Sequence, residues 1–178
     1  MTETFVLRPF VEFSRGGAVG IAATVARQGH ELVLGYTLTG DLAAVCLSDL
    51  AAAPTRQDQL WEGTCFECFF AIAGERRYWE VNISPAGHWN MYAFSDYRQG
   101  MRREEAVRRL AVASCRGPGE YRLTAGVELP DGLAAAATLA VGLCAVLADD
   151  AGGCSYWAMA HPAGKPDFHH RGGFVVSR

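Results

Sequence analysis

Short runs in which apolar and polar residues alternate recur along this sequence, cut apart by turn residues. That pattern restricts the fold strongly, because only a strand returns every second side chain to the same face. Val19 to Ala26 and Leu32 to Thr39 flank Gln28-Gly29-His30, which reads as a hairpin turn. Cys65 to Ala73 ends at Gly74-Glu75-Arg76-Arg77, and Tyr78 to Ile83 follows. Ser84-Pro85-Ala86-Gly87 then turns the chain into His88 to Phe94. Val107 to Ser114 and Tyr121 to Leu129 surround a further turn at Gly117-Pro118-Gly119.

Alternation also assigns faces. Trp79, Val81 and Ile83 share one side of their run, and Tyr78, Glu80 and Asn82 the other. Trp89, Met91 and Ala93 oppose His88, Asn90, Tyr92 and Phe94. A hairpin through Ser84 to Gly87 therefore has one largely apolar face and one polar face, which Glu67 can join from its own run. The Ala-rich region is ambiguous. Propensity favours helix over Leu133 to Ala148, yet Leu139, Val141, Leu143, Ala145 and Leu147 alternate with Ala140, Gly142, Cys144 and Val146. The period of two predicts a buried strand over Leu139 to Leu147, after a short turn or helical piece at Asp131 to Ala137. Eight or more such strands imply an all-β, antiparallel sandwich.

A chain of 178 residues is long enough for one domain, 1–178, with a sizeable core. Half of it is hydrophobic, too apolar for disorder. A net charge of -3 gives no general pull toward nucleic acid or an anionic membrane. The five arginines between Arg98 and Arg109, set against Glu104 and Glu105, read as a solvated basic surface. The 16 uncharged residues of Leu133 to Ala148 fall short of a membrane span. The first ten residues carry neither a basic nor an apolar signal region, so the expectation is a cytoplasmic protein with six reduced cysteines. Cys65 and Cys68, three apart on a strand, point to opposite faces and do not share a metal; Cys46, Cys115, Cys144 and Cys154 read as small buried residues.

The run Ser155-Tyr-Trp-Ala-Met-Ala-His-Pro-Ala-Gly-Lys-Pro-Asp-Phe-His-His170 joins strand-like alternation to a Pro/Gly-broken loop, where functional groups collect. An aromatic ring covers the apolar face of a small polar molecule, while imidazole, carboxylate and ammonium groups bind its edge. Trp157, His161, Lys165, Asp167, His169 and His170 are the candidates there. The competing reading makes Tyr156 and Trp157 core and the histidines loop punctuation. Trp79 and Trp89 fall on the apolar face and read as core, whereas Trp61 and Trp157 sit beside loops and read as stacking platforms. Glu67, Glu80 and Asn82 form a polar cluster able to hold Ca²⁺ or accept sugar hydroxyls, or simply a solvated sheet face. The loop histidines are a weak metal motif. Met159 and His161, on one strand face, are not an opposed axial pair for a haem; Met91 or Met101 with a histidine remains as the alternative.

Three blocks carry a family resemblance: Trp61-Glu-Gly-Thr-Cys-Phe-Glu-Cys-Phe-Phe70, Tyr78-Trp-Glu-Val-Asn-Ile-Ser-Pro-Ala-Gly-His-Trp-Asn-Met-Tyr92 and Ser155 to His170. Together they resemble stand-alone bacterial DOMON-like proteins, relatives of the family nine carbohydrate-binding modules. The likeness runs from Trp61 to Phe174. It implies an immunoglobulin-like or jelly-roll β-sandwich that binds a sugar or a haem. The leading expectation is a non-catalytic module for a carbohydrate or similar polyhydroxylated molecule, with no nucleic-acid or membrane partner. Its contact set is Trp61, Trp157, His161 and the Lys165 to His170 loop, with Glu67, Glu80 and Asn82. The alternatives are a haem- or metal-binding module and, last, an enzyme using the Glu or His groups. No cofactor is assigned, and no oligomeric state follows.

Overall fold

Turn chemistry and alternation build the first hairpins as the sequence implies. The computed structural model of the protein describes residues 2–11 and 18–177. Its strands are β1 (Thr2–Pro9), β2 (Val19–Gln28), β3 (Glu31–Gly40), β4 (Cys65–Ile72), β5 (Tyr78–Ile83), β6 (Trp89–Phe94), β7 (Arg102–Arg103), β8 (Ala111–Gly117), β9 (Glu120–Glu128), β10 (Leu139–Ala148), β11 (Cys154–Ala158) and β12 (Val175–Ser177), with one short helix, α1 (Asp131–Ala134). The β5–β6 turn closes through Ser84 N–H to the His88 carbonyl at 2.8 Å and Gly87 N–H to the Ser84 carbonyl at 2.9 Å. Gly87 takes φ 81°, a conformation that favours glycine.

The described strands pair antiparallel along the order β7-β6-β5-β4-β10-β11-β1-β2-β3-β9-β8, with β12 against β10. The protein is thus nearly all-β, one antiparallel sheet that curls back on itself. A narrow junction joins its two parts, where Arg8 pairs with Ala158 and Pro9 with Trp157. One core forms between them. Leu7, Ile21, Leu34 and Leu123 enter it from one side, and Phe66, Val81, Met91 and Leu143 from the other. Tyr36 meets Phe66 at 5.1 Å between ring centroids, and its hydroxyl donates to the Glu67 carbonyl at 2.7 Å.

Pairing decides the Ala-rich segment. β10 lies between β4 on one side and β11 with β12 on the other, so its backbone groups are satisfied in a ladder. Leu139, Val141, Leu143, Ala145 and Leu147 enter the main core, as the bulky/small alternation predicts. Burying each leucine contributes about 1.5–3 kcal/mol, more than the few tenths per residue by which propensity separates helix from strand formers. Gly142 faces the other way, and a Cβ there would lie 2.9 Å from the Phe174 ring. The helical piece shrinks to α1.

Two expectations need correction. The strand expected over Val107 to Ser114 begins only at Ala111; Val107 and Leu110 are buried from the preceding loop instead. Cys144 is buried, but Cys46, Cys115 and Cys154 are exposed. Cys115 stands on the edge strand β8 and the other two beside the β10–β11 turn, where no second layer covers them. Cys68 enters the main core, whereas Glu67 and Phe69 face the other way. No helix among the described residues is long and apolar enough to cross a membrane.

Candidate functional site

The outward face of β10-β4-β5-β6 carries the polar residues that alternation set apart. Cys144, Glu67, Asn82 and Asn90 align in register across the four strands, and Gly142, Phe69, Glu80 and Tyr92 form the next row. Ala71, Tyr78 and Phe94 complete a second, smaller cluster on this face. The face is not solvated. Glu67, Glu80, Asn82 and Asn90 are all buried; residues of the C-terminal loop share a cleft with Glu67 and Glu80, and Asn90 is held by Gln57 and Asp58. Beneath that loop lies a cleft of about 570 Å³. Phe69, Phe94, Met101, Val146 and Pro166 give it apolar surface, and Trp61, Tyr156 and Phe168 stand around it. Glu67, Glu80, Arg98, Lys165 and His169 supply the polar groups.

Each group is held by identifiable contacts. A single 3-10 turn, Leu60–Glu62, sets Trp61 edge-on to Tyr92 at 5.9 Å. Tyr92 is fixed by its hydroxyl, which donates to Asp58 at 2.7 Å; Asp58 also accepts from Asn90 at 2.8 Å and from Arg103. Tyr156 pairs in register with Val146 on the cleft side and meets the Phe168 edge at 6.1 Å. Arg98 adopts φ 53°, uncommon for a residue with a side chain. Its N–H donates to the Tyr78 hydroxyl at 3.1 Å, and its guanidinium donates to Asp167 at 2.9 Å. Asp167 also accepts from the Tyr97 hydroxyl at 2.5 Å, so it locks the two loops together.

The floor is electrostatically unusual. Burial pushes the Glu67 carboxyl well above the usual carboxylate range, and the neighbouring Glu80 pushes it further. Burial likewise raises Glu80 to about 7, against the opposing hydrogen bond from Asn82 at 2.7 Å. Burial, with the Arg98 charge, lowers His169 to about 4. His169 Nε2 approaches Glu80 at 3.9 Å, a distance within ion-pair range. Between these two values, however, the carboxyl is protonated and the imidazole neutral, so the contact joins two uncharged groups. Tyr78 Oη shares a hydrogen bond with His169 Nδ1 at 2.8 Å. Glu67 Oε1 and Asn82 Oδ1 are buried without a partner. Such orphaned acceptors are rare in folded proteins.

The sequence candidates divide. Trp61, Glu67, Glu80, Lys165 and His169 line the cleft, and Asn82 lies against its floor through Glu80. Asp167 is buried behind the wall and positions Arg98. Trp157 is in the main core, 2% exposed, paired with Ala145 on the opposite face from Tyr156. Its indole N–H donates to Ser155 at 2.8 Å, and no ring face is open to a ligand. His161 ties the loop to the end of β1 through the Arg8 carbonyl at 2.8 Å, edge-on to Phe10. His170 caps the turn Arg171–Gly173 by accepting the Gly172 N–H at 3.1 Å. Neither His161 nor His170 lines the cleft. Trp79 and Trp89 are core, each covered by a guanidinium. Sequence reasoning missed Arg98 and Phe94, named Met101 only as a haem ligand, included Phe168 only within the Lys165 to His170 loop, and preferred Trp157 to Tyr156 as the platform.

The haem alternative needs Met91 or Met101 opposite a histidine. Met91 is buried in the core facing away, and the nitrogens of His169, which shares the cleft with Met101, face Tyr78 and Glu80. The Asn82 amide donates to Glu80 Oε1, while Asn82 Oδ1 and Glu67 Oε1 are without a partner. Among the described residues no three His, Cys, Asp or Glu side chains converge as a metal site.

Comparison with protein families and with curated proteins returns no match. Several solved structures share the fold. A candidate carbohydrate-binding protein from Bacteroides uniformis superposes with a TM-score of 0.66 at 18% identity, over 98% of this chain and 84% of its own. A family nine carbohydrate-binding module from Caldicellulosiruptor kristjanssonii, in complex with cellotriose, gives 0.52 at 13% identity, over 92% and 75%. The glucose complex of a family nine module from the same organism gives 0.53 at 12%, over 97% and 82%. The likeness is one of fold.

Proposed function

We propose that this protein is a non-catalytic carbohydrate-binding module whose ligand enters the cleft between Trp61 and the Lys165 to His170 loop. One observation carries the reading: a buried carboxyl, Glu67, leaves Oε1 without a partner on the floor of a cleft with aromatic rings at its sides. A sugar has the complementary surface. Its hydroxyls satisfy buried polar atoms, and its C–H faces cover indole, phenol and phenyl rings. An unsatisfied buried acceptor costs about 1–3 kcal/mol, which a ligand hydroxyl recovers on binding. Trp61, Tyr156 and Phe168 are the platforms in this account; Glu67, Glu80, Arg98, Lys165 and His169 read the hydroxyls. The shared fold of modules with bound cellotriose and glucose supports the assignment. The resemblance to DOMON-like proteins and the description as an immunoglobulin-like sandwich belong to the same proposal, supported by one core shared between the two parts of the sheet.

A binding role also suits the chemistry better than glycoside hydrolysis. A hydrolase needs one ionised carboxylate beside one acid. Here burial raises both carboxyls, and Glu67 has no cationic partner among the described residues. Calorimetric titration with a panel of neutral saccharides that includes glucose and cellotriose tests the proposal. Trp61→Ala is expected to weaken binding roughly fivefold, from the loss of about 1 kcal/mol of aromatic contact. A wild-type protein that binds no saccharide overturns the reading.

A further inference from the structure

Two permanent cations, Arg98 and Lys165, line the cleft with carboxyls that burial biases toward the neutral acid. Among its lining residues the ionisable groups are Glu67, Glu80, Arg98, Lys165 and His169. Lys165 is exposed, follows Gly164 and precedes Pro166, and makes no ion pair among the described residues. Arg98 presents a half-exposed guanidinium whose Nη2 engages Asp167, leaving other donors of the planar fork to face the cleft. Its left-handed backbone and its hydrogen bond to Tyr78 hold it there. Asp167, its counter-charge, is buried behind it and does not line the cleft. The two floor carboxyls, diagonal neighbours across β4 and β5, are buried, and Glu80 lies 3.9 Å from the neutral imidazole of His169. Their burial favours the neutral acids, which donate hydrogen bonds rather than repel an anion.

We propose that the saccharide taken by this cleft carries an anionic group, held by Lys165 with Arg98. The inference rests on the saccharide-binding reading and deepens it. The neutral part of the ring lies over the aromatic residues and the floor, and the carboxylate or phosphate reaches the two cations at the loop side. Charge-assisted hydrogen bonds of this kind are roughly twice as strong as neutral ones, and the low-dielectric walls enhance them.

Titration calorimetry at low ionic strength with glucose, glucuronate and glucose 6-phosphate separates the outcomes. At least one anionic sugar is expected to bind about tenfold or more tighter than glucose. Lys165→Gln should remove most of that preference, so that the anionic sugar and glucose then bind within about twofold of one another, and added salt should act in the same direction. The better of the two anions identifies the group as carboxylate or phosphate. If glucose binds and neither anion gains over it, the inference fails while the saccharide reading stands. A preference that persists unchanged in both Lys165→Gln and Arg98→Gln also overturns it. If none of the three sugars binds, the inference falls together with the reading beneath it.

Discussion

Replacing Glu80 by glutamine should change how stability depends on pH. The folded carboxyl titrates at about 7 against an ordinary value of 4.5, burial being the main cause. Between those values the folded protein binds more protons than the unfolded chain, so this group's contribution to stability falls as pH rises. The full difference corresponds to about 3 kcal/mol. His169 acts oppositely. Its imidazole is depressed from 6.5 to about 4, so the folded protein binds fewer protons over that range and stability rises with pH, again by about 3 kcal/mol in total. In the wild type the two nearly offset one another up to pH about 6.5, and the carboxyl penalty alone remains up to about 7 and just beyond. Glu80→Gln keeps an acceptor for the Asn82 amide and removes the penalty. Urea unfolding of both proteins across pH 4 to 8 gives the comparison. The variant should gain on the wild type by about 3 kcal/mol between pH 4.5 and 8. A difference that does not move with pH would refute the argument that burial holds this carboxyl protonated. A difference moving the other way would mean a cation stabilises it.

Trp157→Ala should cost about 3–5 kcal/mol of folding stability, as large-to-small core changes do, and Tyr156→Ala on the opposite face far less; equal losses would place both rings alike. Thiol labelling of the native protein should modify Cys46, Cys115 and Cys154 quickly and Cys65, Cys68 and Cys144 only on unfolding, because burial raises the latter thiols. Uniform fast labelling of all six would contradict the packing of β4 against β10.

Alternation made most of the sheet legible. In β5 and β6 each side chain took the face its period assigned, so the apolar Trp79–Val81–Ile83 and Trp89–Met91–Ala93 sets reached the core and the Glu80–Asn82 and Asn90–Tyr92 sets the face that carries the cleft. Alternation places neighbours on opposite sides without saying which side is inside. Tyr156 and Trp157 show the gap: both are aromatic, and only the register with Ala145 and Val146 of β10 puts the indole in the core. Polarity along β4 and β5 suggested a solvated face because nothing in their own sequence announces the loop that covers it. Arg98 left still less trace. It looks like one of several surface arginines until Asp167, 69 residues away, fixes its guanidinium. The histidines of the C-terminal loop are alike in sequence, yet one lines the cleft and two hold the loop in place.

The central claim is that the cleft over Glu67 receives a saccharide. A crystal structure of the protein grown with a saccharide that calorimetry shows to bind tests it most directly. The account predicts the sugar in this cleft, a ring face against Trp61, Tyr156 or Phe168, and a hydroxyl within hydrogen-bond reach of Glu67 Oε1. A sugar bound elsewhere, such as the outer face of β8 and β9, with the floor of the cleft untouched, would contradict it.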